Sequence, residues 1–215
     1  MTSAGRPSPD AYRDFERDGW QRAAARYTTS FGRVTGAYAA GVLDALALSR
    51  GQRLLDVACG PGILVGEALQ RGLDTVGVDF AEGMVAEARR RHPAADVRRA
   101  DAERLPLAAA RFDGVAINFG ILHFTRPRRA LAEAWRVLRP GGRVAFTVWA
   151  SPEENRLQGE VFDAIAALGG PRPALPPPPE GLVTSSDACR RLLSEAGFED
   201  VATHRHQRVI ARPRR

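Results

Sequence analysis

Leu54-Leu55-Asp56-Val57-Ala58-Cys59-Gly60-Pro61-Gly62 is an apolar run that ends on an acid and then breaks into a Gly-x-Gly turn. Such a run predicts a buried strand over 53–57, and the apolar pattern from Ile63 to Leu69 predicts the helix that follows. Gly60 and Gly62 remove side chains where the backbone must turn tightly and approach a bound molecule. The next strand, Thr75-Val76-Gly77-Val78, closes on a second acid, Asp79. An acid in that place is the usual partner of the two hydroxyls of an adenosine ribose. Two neighbouring strands that each deliver a carboxylate therefore predict an adenosine-containing cofactor.

Outward from this stretch the chain alternates strand and helix. Strands are expected near 53–57, 75–79, 96–99, 114–118 and 143–149, which predicts an α/β fold: a Rossmann-like, doubly wound, mostly parallel sheet with its ligand at the strands' carboxyl ends. Upstream, Tyr12 to Tyr27 and Gly36 to Leu48 read as two helices, an N-terminal helical cap over the cofactor, and residues 1–10 read as a disordered tail. One domain is expected over 11–215, with the cap at 11–50, the cofactor-binding core at 51–150, a helix and proline-rich linker at 151–184, and a C-terminal helix and strand or strands at 185–215. The helix after Pro127 shows Leu131, Ala134, Trp135 and Leu138 on one face, so Trp135 is assigned to the core, and Pro140-Gly141-Gly142 ends that helix. Asn155 to Leu168 reads as helical. Pro176 to Pro179 favour a stiff, extended polyproline path. A last helix, opened by Ser185 or Ser186 and closed by Gly197, leads to a strand near Asp200 to Thr203. Gln207 to Ala211 are the residues available for a short antiparallel strand after it. Without that strand the sheet keeps an open edge, which invites pairing with a second copy as a homodimer.

Asp56 discriminates between adenosine cofactors. A dinucleotide's pyrophosphate, seated on the helix N-terminus, is repelled by a carboxylate ending the first strand, whereas S-adenosylmethionine brings an ammonium and a sulfonium to that region. Gly60-Pro61-Gly62-Ile63-Leu64-Val65-Gly66 also departs from the GxGxxG spacing of most NAD sites. The chain resembles the class I S-adenosylmethionine-dependent methyltransferases, most of all the small-molecule branch that includes quinone-biosynthesis and natural-product methyltransferases. Besides the opening stretch, the resemblance is carried by Gly77-Val78-Asp79-Phe80, Ala100-Asp101-Ala102-Glu103-Arg104-Leu105-Pro106, Phe112-Asp113-Gly114-Val115-Ala116-Ile117-Asn118 and Val137-Leu138-Arg139-Pro140-Gly141-Gly142. It covers the chain from near Trp20 to near Asp200. The C-terminal part departs from the family's pattern, which usually adds an insertion and a final antiparallel strand that contribute to the acceptor pocket.

The resemblance implies methyl transfer from S-adenosyl-L-methionine to a small organic acceptor, by O- or C-methylation in a biosynthetic pathway, with S-adenosyl-L-homocysteine as product. It also implies roles for particular residues. Asp56 faces the methionyl ammonium, directly or through water, and the backbone of Ala58, Gly60 and Gly62 makes room for the methionyl chain. Asp79 takes both ribose hydroxyls. Phe80 and Met84 pack on the adenine, although ordinary helix packing explains Met84 equally well. Asp101 accepts from the exocyclic amine, and the backbone of Ala102 addresses the ring. Asn118 and Phe119 lie beside the reactive methyl, and Tyr27 closes over the methionyl end. His123, in Gly120-Ile121-Leu122-His123-Phe124, sits where an acceptor hydroxyl approaches and is of the residue type that serves as a general base. A histidine in this place often has no proton-transfer role in the family, and both readings stand.

With 215 residues, 44% of them hydrophobic, the chain is long enough for one doubly wound domain. It has no apolar run of membrane-spanning length and no signal-peptide core, so a cytoplasmic protein is expected. There is no lysine, and the net charge of +6 rests on arginine, which excludes lysine-based chemistry. Arg89 to Arg91, Arg98 and Arg99, Arg126 to Arg129 and Arg212 to Arg215 fall on separate elements without interleaved aromatics. They read as solvated faces and a tail rather than a nucleic-acid surface. The fourth strand ends Asn118-Phe119-Gly120-Ile121, without the Asn-Pro-Pro-Tyr type of sequence that grips an exocyclic amine. The alternatives are a methyltransferase-fold protein that binds the cofactor without methyl transfer, an RNA methyltransferase and, third, a dehydrogenase. Cys59, Cys189, His92, His204 and His206 show no ligand spacing, and no metal is expected.

Overall fold

The computed structural model describes residues 8–151, 154–169, 178 and 183–207. The two acid-tipped strands form as β1, Arg53–Val57, and β2, Asp74–Asp79. The helices before them are α1, Pro9–Tyr27, α2, Gly32–Gly36, and α3, Ala39–Leu46, and α4, Ile63–Gln70, joins β1 to β2. There follow α5, Glu82–Arg91, β3, Asp96–Arg99, β4, Phe112–Asn118, a single 3-10 turn at Gly120–His123, α6, Pro127–Val137, β5, Leu138–Thr147, α7, Arg156–Ala167, and α8, Ser186–Glu195. The sheet runs β3-β2-β1-β4-β5 with every neighbouring pair parallel.

Period-two alternation explains why β1 and β4 are apolar almost throughout. Leu55, Val57, Val115 and Ile117 pack with Leu131, Ala134 and Val137 of α6 and with Leu192 and Leu193 of α8. The intervening Leu54 and Ala116 pack with Val42, Leu43 and Leu46 of α3 and with Leu64 and Ala68 of α4. A parallel strand covered on both faces has no polar side to expose. Because β1 lies between β2 and β4, the connections leave it in opposite directions, and a crevice opens at the carboxyl ends of these strands.

Several expectations are corrected. Helix α1 begins inside the supposed tail: the Ser8 hydroxyl accepts the Ala11 N–H, Pro9 starts the helix, and Asp10 lies in its first turn. The second cap helix, expected from Gly36 to Leu48, forms as the shorter α3, and the short α2 before it was not expected. Trp135 is 56% exposed. The buried stripe of α6 is Ala130, Leu131, Ala134 and Val137, and Trp135 is turned roughly 100° from Ala134; its indole instead lies against Gly197. No strand forms at 201–203. Asp200 adopts a left-handed conformation, φ 52°, while Val201 packs on the core cluster and Thr203 accepts from Arg190 at 2.8 Å. Tertiary contacts hold this segment where the pattern suggested a ladder. The polyproline run apart from Pro178, and the possible final strand apart from Gln207, lie outside the described residues. Among the described residues the outer edge of β5 has no strand partner.

Helix α8 starts as expected, with the Ser185 hydroxyl accepting the Ala188 N–H at 3.2 Å. Ser185→Ala is expected to lower stability by about 1 kcal/mol, the usual worth of such a cap, as read from a denaturant midpoint at constant m-value.

Candidate active site

The carboxyl ends of β1, β2 and β4, roofed by α1 and α2, enclose a cavity of about 1030 Å³ including its mouth. The turn after β1 forms one wall, with Ala58, Gly60 and Gly62 all at positive φ, 56°, 54° and 80°. The two glycines serve different ends. A Cβ on Gly60 meets nothing within 4 Å, and the residue lines the cavity, so its missing side chain leaves room for a ligand. A Cβ on Gly62 falls 2.9 Å from His92 Cδ2 and 3.2 Å from Ala88 Cβ, and the residue does not line the cavity. Gly62 makes the tight turn expected of it, but its missing side chain gives room to the end of α5 against the start of α4 and not to the cavity.

Asp56 is 1% exposed, and neither of its carboxylate oxygens has a hydrogen-bond partner. Burial, with the neighbouring Asp79 charge, holds its carboxyl well above the usual range. Asp79 accepts the Gly60 N–H and the Ala81 N–H, each at 2.9 Å. Burial pushes it up to about 6 even though these backbone donors pull the other way. A buried carboxylate without protein donors costs several kcal/mol, so the fold tolerates one where a ligand supplies the missing cation or N–H groups.

Phe80, Met84, Asp101 and Ala102 line the end of the cavity beyond Asp79. Met84 also packs with Ala24 and Ala81 beneath α1, the ordinary helix packing that was the alternative explanation for it. Asp101 accepts the Glu103 N–H at 2.8 Å and lies 3.3 Å from Arg13 Nε, while Arg13 also reaches the buried Glu103 at 2.7 Å. At the other end, the Asn118 side chain is spent on bracing, accepting from Thr147 at 2.8 Å and donating to the Thr35 carbonyl at 3.1 Å. Phe119 stacks on Trp149 at 4.0 Å and 19°, and Phe31 tilts against the same indole at 5.7 Å. Tyr27 lines the cavity, with its hydroxyl 3.0 Å from that of Thr35. His123 also lines it, and its Nδ1 is 2.9 Å from Glu16 Oε2.

Every expected site residue except Gly62 thus borders one cavity. The sequence reading missed Arg13, Trp20, Phe31 and Trp149 as lining residues, and Glu16 behind His123. A signal existed for α1: Arg13, Glu16, Trp20 and Tyr27 recur at helical spacing on one face. That face mixes charge with aromatics and so resembles neither a plain core stripe nor a solvated one.

The methyltransferase-domain family profile matches residues 55–146. The ubiquinone/menaquinone biosynthesis C-methyltransferase UbiE of Roseobacter denitrificans is 36% identical over 178 residues, covering 74% of this chain and 71% of that protein. The chain belongs to the class I S-adenosylmethionine-dependent methyltransferases. As a methyltransferase-family chain it is also similar to the demethylmenaquinone methyltransferase of Renibacterium salmoninarum, 41% identical over 111 residues, which are 52% of this chain and 47% of that protein. It spans about half the length of several such curated relatives. Among solved structures, the [4+2]-cyclase SpnF shares the fold with a TM-score of 0.59 and 27% identity, over 76% of this chain and 57% of that one. The family's cofactor is S-adenosylmethionine and its product S-adenosylhomocysteine. The donor set fits: a donorless buried carboxylate for an ammonium, and a second carboxylate one strand away for the ribose.

Proposed function

We propose that this protein transfers the methyl group of S-adenosylmethionine to a small, flat, hydroxylated ring, a reduced quinone of the demethylmenaquinone type, by C- or O-methylation. The observation that carries the reading is Asp56, a buried carboxylate without a donor in the same cavity as an aromatic wall and an imidazole. The bound cofactor supplies an electrophilic methyl on a sulfonium. Asp56 holds the methionyl ammonium, Asp79 accepts from the ribose hydroxyls, and Phe80 and Met84 flank the adenine. Asn118, braced by Thr35 and Thr147, fixes the rim beside the reacting centre. Phe31, Phe119 and Trp149 give a planar ring a surface to lie on and keep water away, so that alignment supplies much of the rate. His123 takes the acceptor's proton.

Nucleic acid is not the proposed acceptor. Arg90, Arg98, Arg99, Arg126 and Arg128 each face a carboxylate, of Glu87, Asp96, Glu82, Glu103 and Glu195 respectively, which leaves them little net field for phosphates. Among the described residues no helix is long and apolar enough to cross a membrane, and a cytoplasmic location is proposed with the function. A second reading, a cyclase-like catalyst that binds the cofactor without methyl transfer, is favoured by the likeness to SpnF.

Calorimetric titration with S-adenosylmethionine, S-adenosylhomocysteine and NAD tests the cofactor, and saturable binding of the first two alone is expected. Asp79→Ala is expected to weaken that binding by roughly 1–3 kcal/mol, and an unchanged affinity removes Asp79 from the site. Incubation with reduced demethylmenaquinone then separates the readings. Stoichiometric S-adenosylhomocysteine and methylated ring support transfer, whereas binding without turnover of the cofactor favours the second reading.

A further inference from the structure

Behind His123 stands a carboxylate that the cofactor does not need. Glu16 lies on α1, 107 positions earlier in the chain, with only 13% of its side chain exposed. Its Oε2 is 2.9 Å from His123 Nδ1 and accepts the Trp20 indole N–H at 3.0 Å. The Tyr12 hydroxyl donates to the same carboxylate, and burial with this neighbouring charge pushes the phenol up. Trp20 also meets the imidazole edge-on, at 4.8 Å and 82°. Helix α1 is tied down on either side of Glu16, by Arg13 on Glu103 at 2.7 Å and by Gln21 accepting the Gly83 N–H at 2.8 Å. Three donors converging on one largely buried carboxylate, on a helix pinned at both flanks, make a built arrangement rather than a chance surface pair.

We propose that Glu16 is a positioning residue: it fixes His123 as the Nδ1–H tautomer and thereby offers Nε2 as the base toward the acceptor. The proposal rests on the methyl-transfer reading above. An ionised carboxylate can only accept, so the ring nitrogen facing it carries the proton, and a neutral imidazole has no second one. During transfer an electron pair of the acceptor forms the bond to the methyl carbon, and the carbon–sulfur pair stays on sulfur as a neutral thioether. The one proton that the acceptor gives up ends on Nε2. The positive charge lost from sulfur is then carried by an imidazolium beside Glu16, which stabilises it. Because Glu16 comes from α1, the base is complete only with that helix docked.

The test begins on the ligand-free, full-length protein labelled with nitrogen-15. Two-bond nitrogen–proton correlations at mildly alkaline pH report each imidazole tautomer, and His123 is assigned by its loss in His123→Ala. The Nδ1–H pattern is expected for the wild type, and its loss in Glu16→Leu. With reduced demethylmenaquinone as acceptor, Glu16→Leu is expected to lower kcat about tenfold or more, with acceptor KM and cofactor Kd within about twofold. Glu16→Gln, whose amide oxygen still accepts from Nδ1, keeps the tautomer and shows a smaller fall. An Nε2–H pattern in the wild type overturns the proposal, as does full kcat in Glu16→Leu. If Glu16→Leu does not fold, the wild-type tautomer and Glu16→Gln decide. Full kcat in Glu16→Leu beside a large loss in His123→Ala rejects Glu16 and keeps the base. Full kcat in His123→Ala rejects the base itself.

Discussion

Asp56→Asn is expected to stabilise the ligand-free protein and, in the same stroke, to weaken S-adenosylmethionine binding roughly 10- to 150-fold, the worth of a charge-assisted hydrogen bond. Both effects come from one fact: the Asp56 carboxylate is buried with neither oxygen paired. Removing such a charge without changing the side chain's shape is expected to add on the order of 1–3 kcal/mol to folding. It also removes the anion that the methionyl ammonium is proposed to meet. The expected pH dependence follows from the same burial. Asp56 and Asp79 both have folded pKa values above the ordinary 3.8, with Asp79 at about 6. Between those values the folded protein holds more protons than the unfolded chain, so stability is highest at the acid end and falls as pH rises through the window. For Asp79 alone the full span is roughly 3 kcal/mol. A cationic cofactor favours the ionised forms, so the stabilisation it provides is expected to grow from pH 4 to pH 7 and to offset the loss. Unfolding midpoints across that range, with and without cofactor, check both slopes. An Asp56→Asn protein with wild-type affinity and no gain in midpoint sinks the assignment.

The parts of the fold legible in the sequence are those whose burial is complete. Strands β1 and β4, covered on both faces, had no alternative reading to an apolar run, and the acids that break their neighbourhood mark where the run meets the crevice. Trp135 failed because hydrophobicity and burial part company one step off the stripe, where a large side chain can rest on Gly197 and still face water. The strand near Thr203 failed because a left-handed Asp200 and the Arg190 contact are tertiary choices that no local pattern encodes. Gly62 is the instructive case within the site. The glycine was correctly read as required by a tight turn, φ 80°, while the space its missing side chain leaves goes to His92 and Ala88 at the end of α5. Glu16 stands on the mixed face of α1 that the spacing marks, but its role was illegible for a related cause, since its partner His123 is brought to it only by folding.

His123→Ala is expected to lower kcat about 100- to 10,000-fold while leaving cofactor affinity near the wild-type value, the loss typical of a base that moves a proton in the transition state. The imidazole lines the cavity on the 3-10 turn after β4, beside Trp20 and Glu16 of α1, and on the methyl-transfer reading its removal bears on the acceptor. The competing account assigns the rate to alignment alone, with His123 as part of the wall. Truncation then costs the edge contact with Trp20 and the hydrogen bond to Glu16, and kcat changes less than about tenfold because positioning by the other aromatics survives. An acceptor ring made acidic by electron-withdrawing groups separates the two accounts. Such a ring arrives already ionised and needs no base, so His123→Ala is expected to approach wild-type turnover on it while remaining slow on the ordinary hydroquinone. A variant equally slow on both has lost positioning, and His123 is then part of the wall.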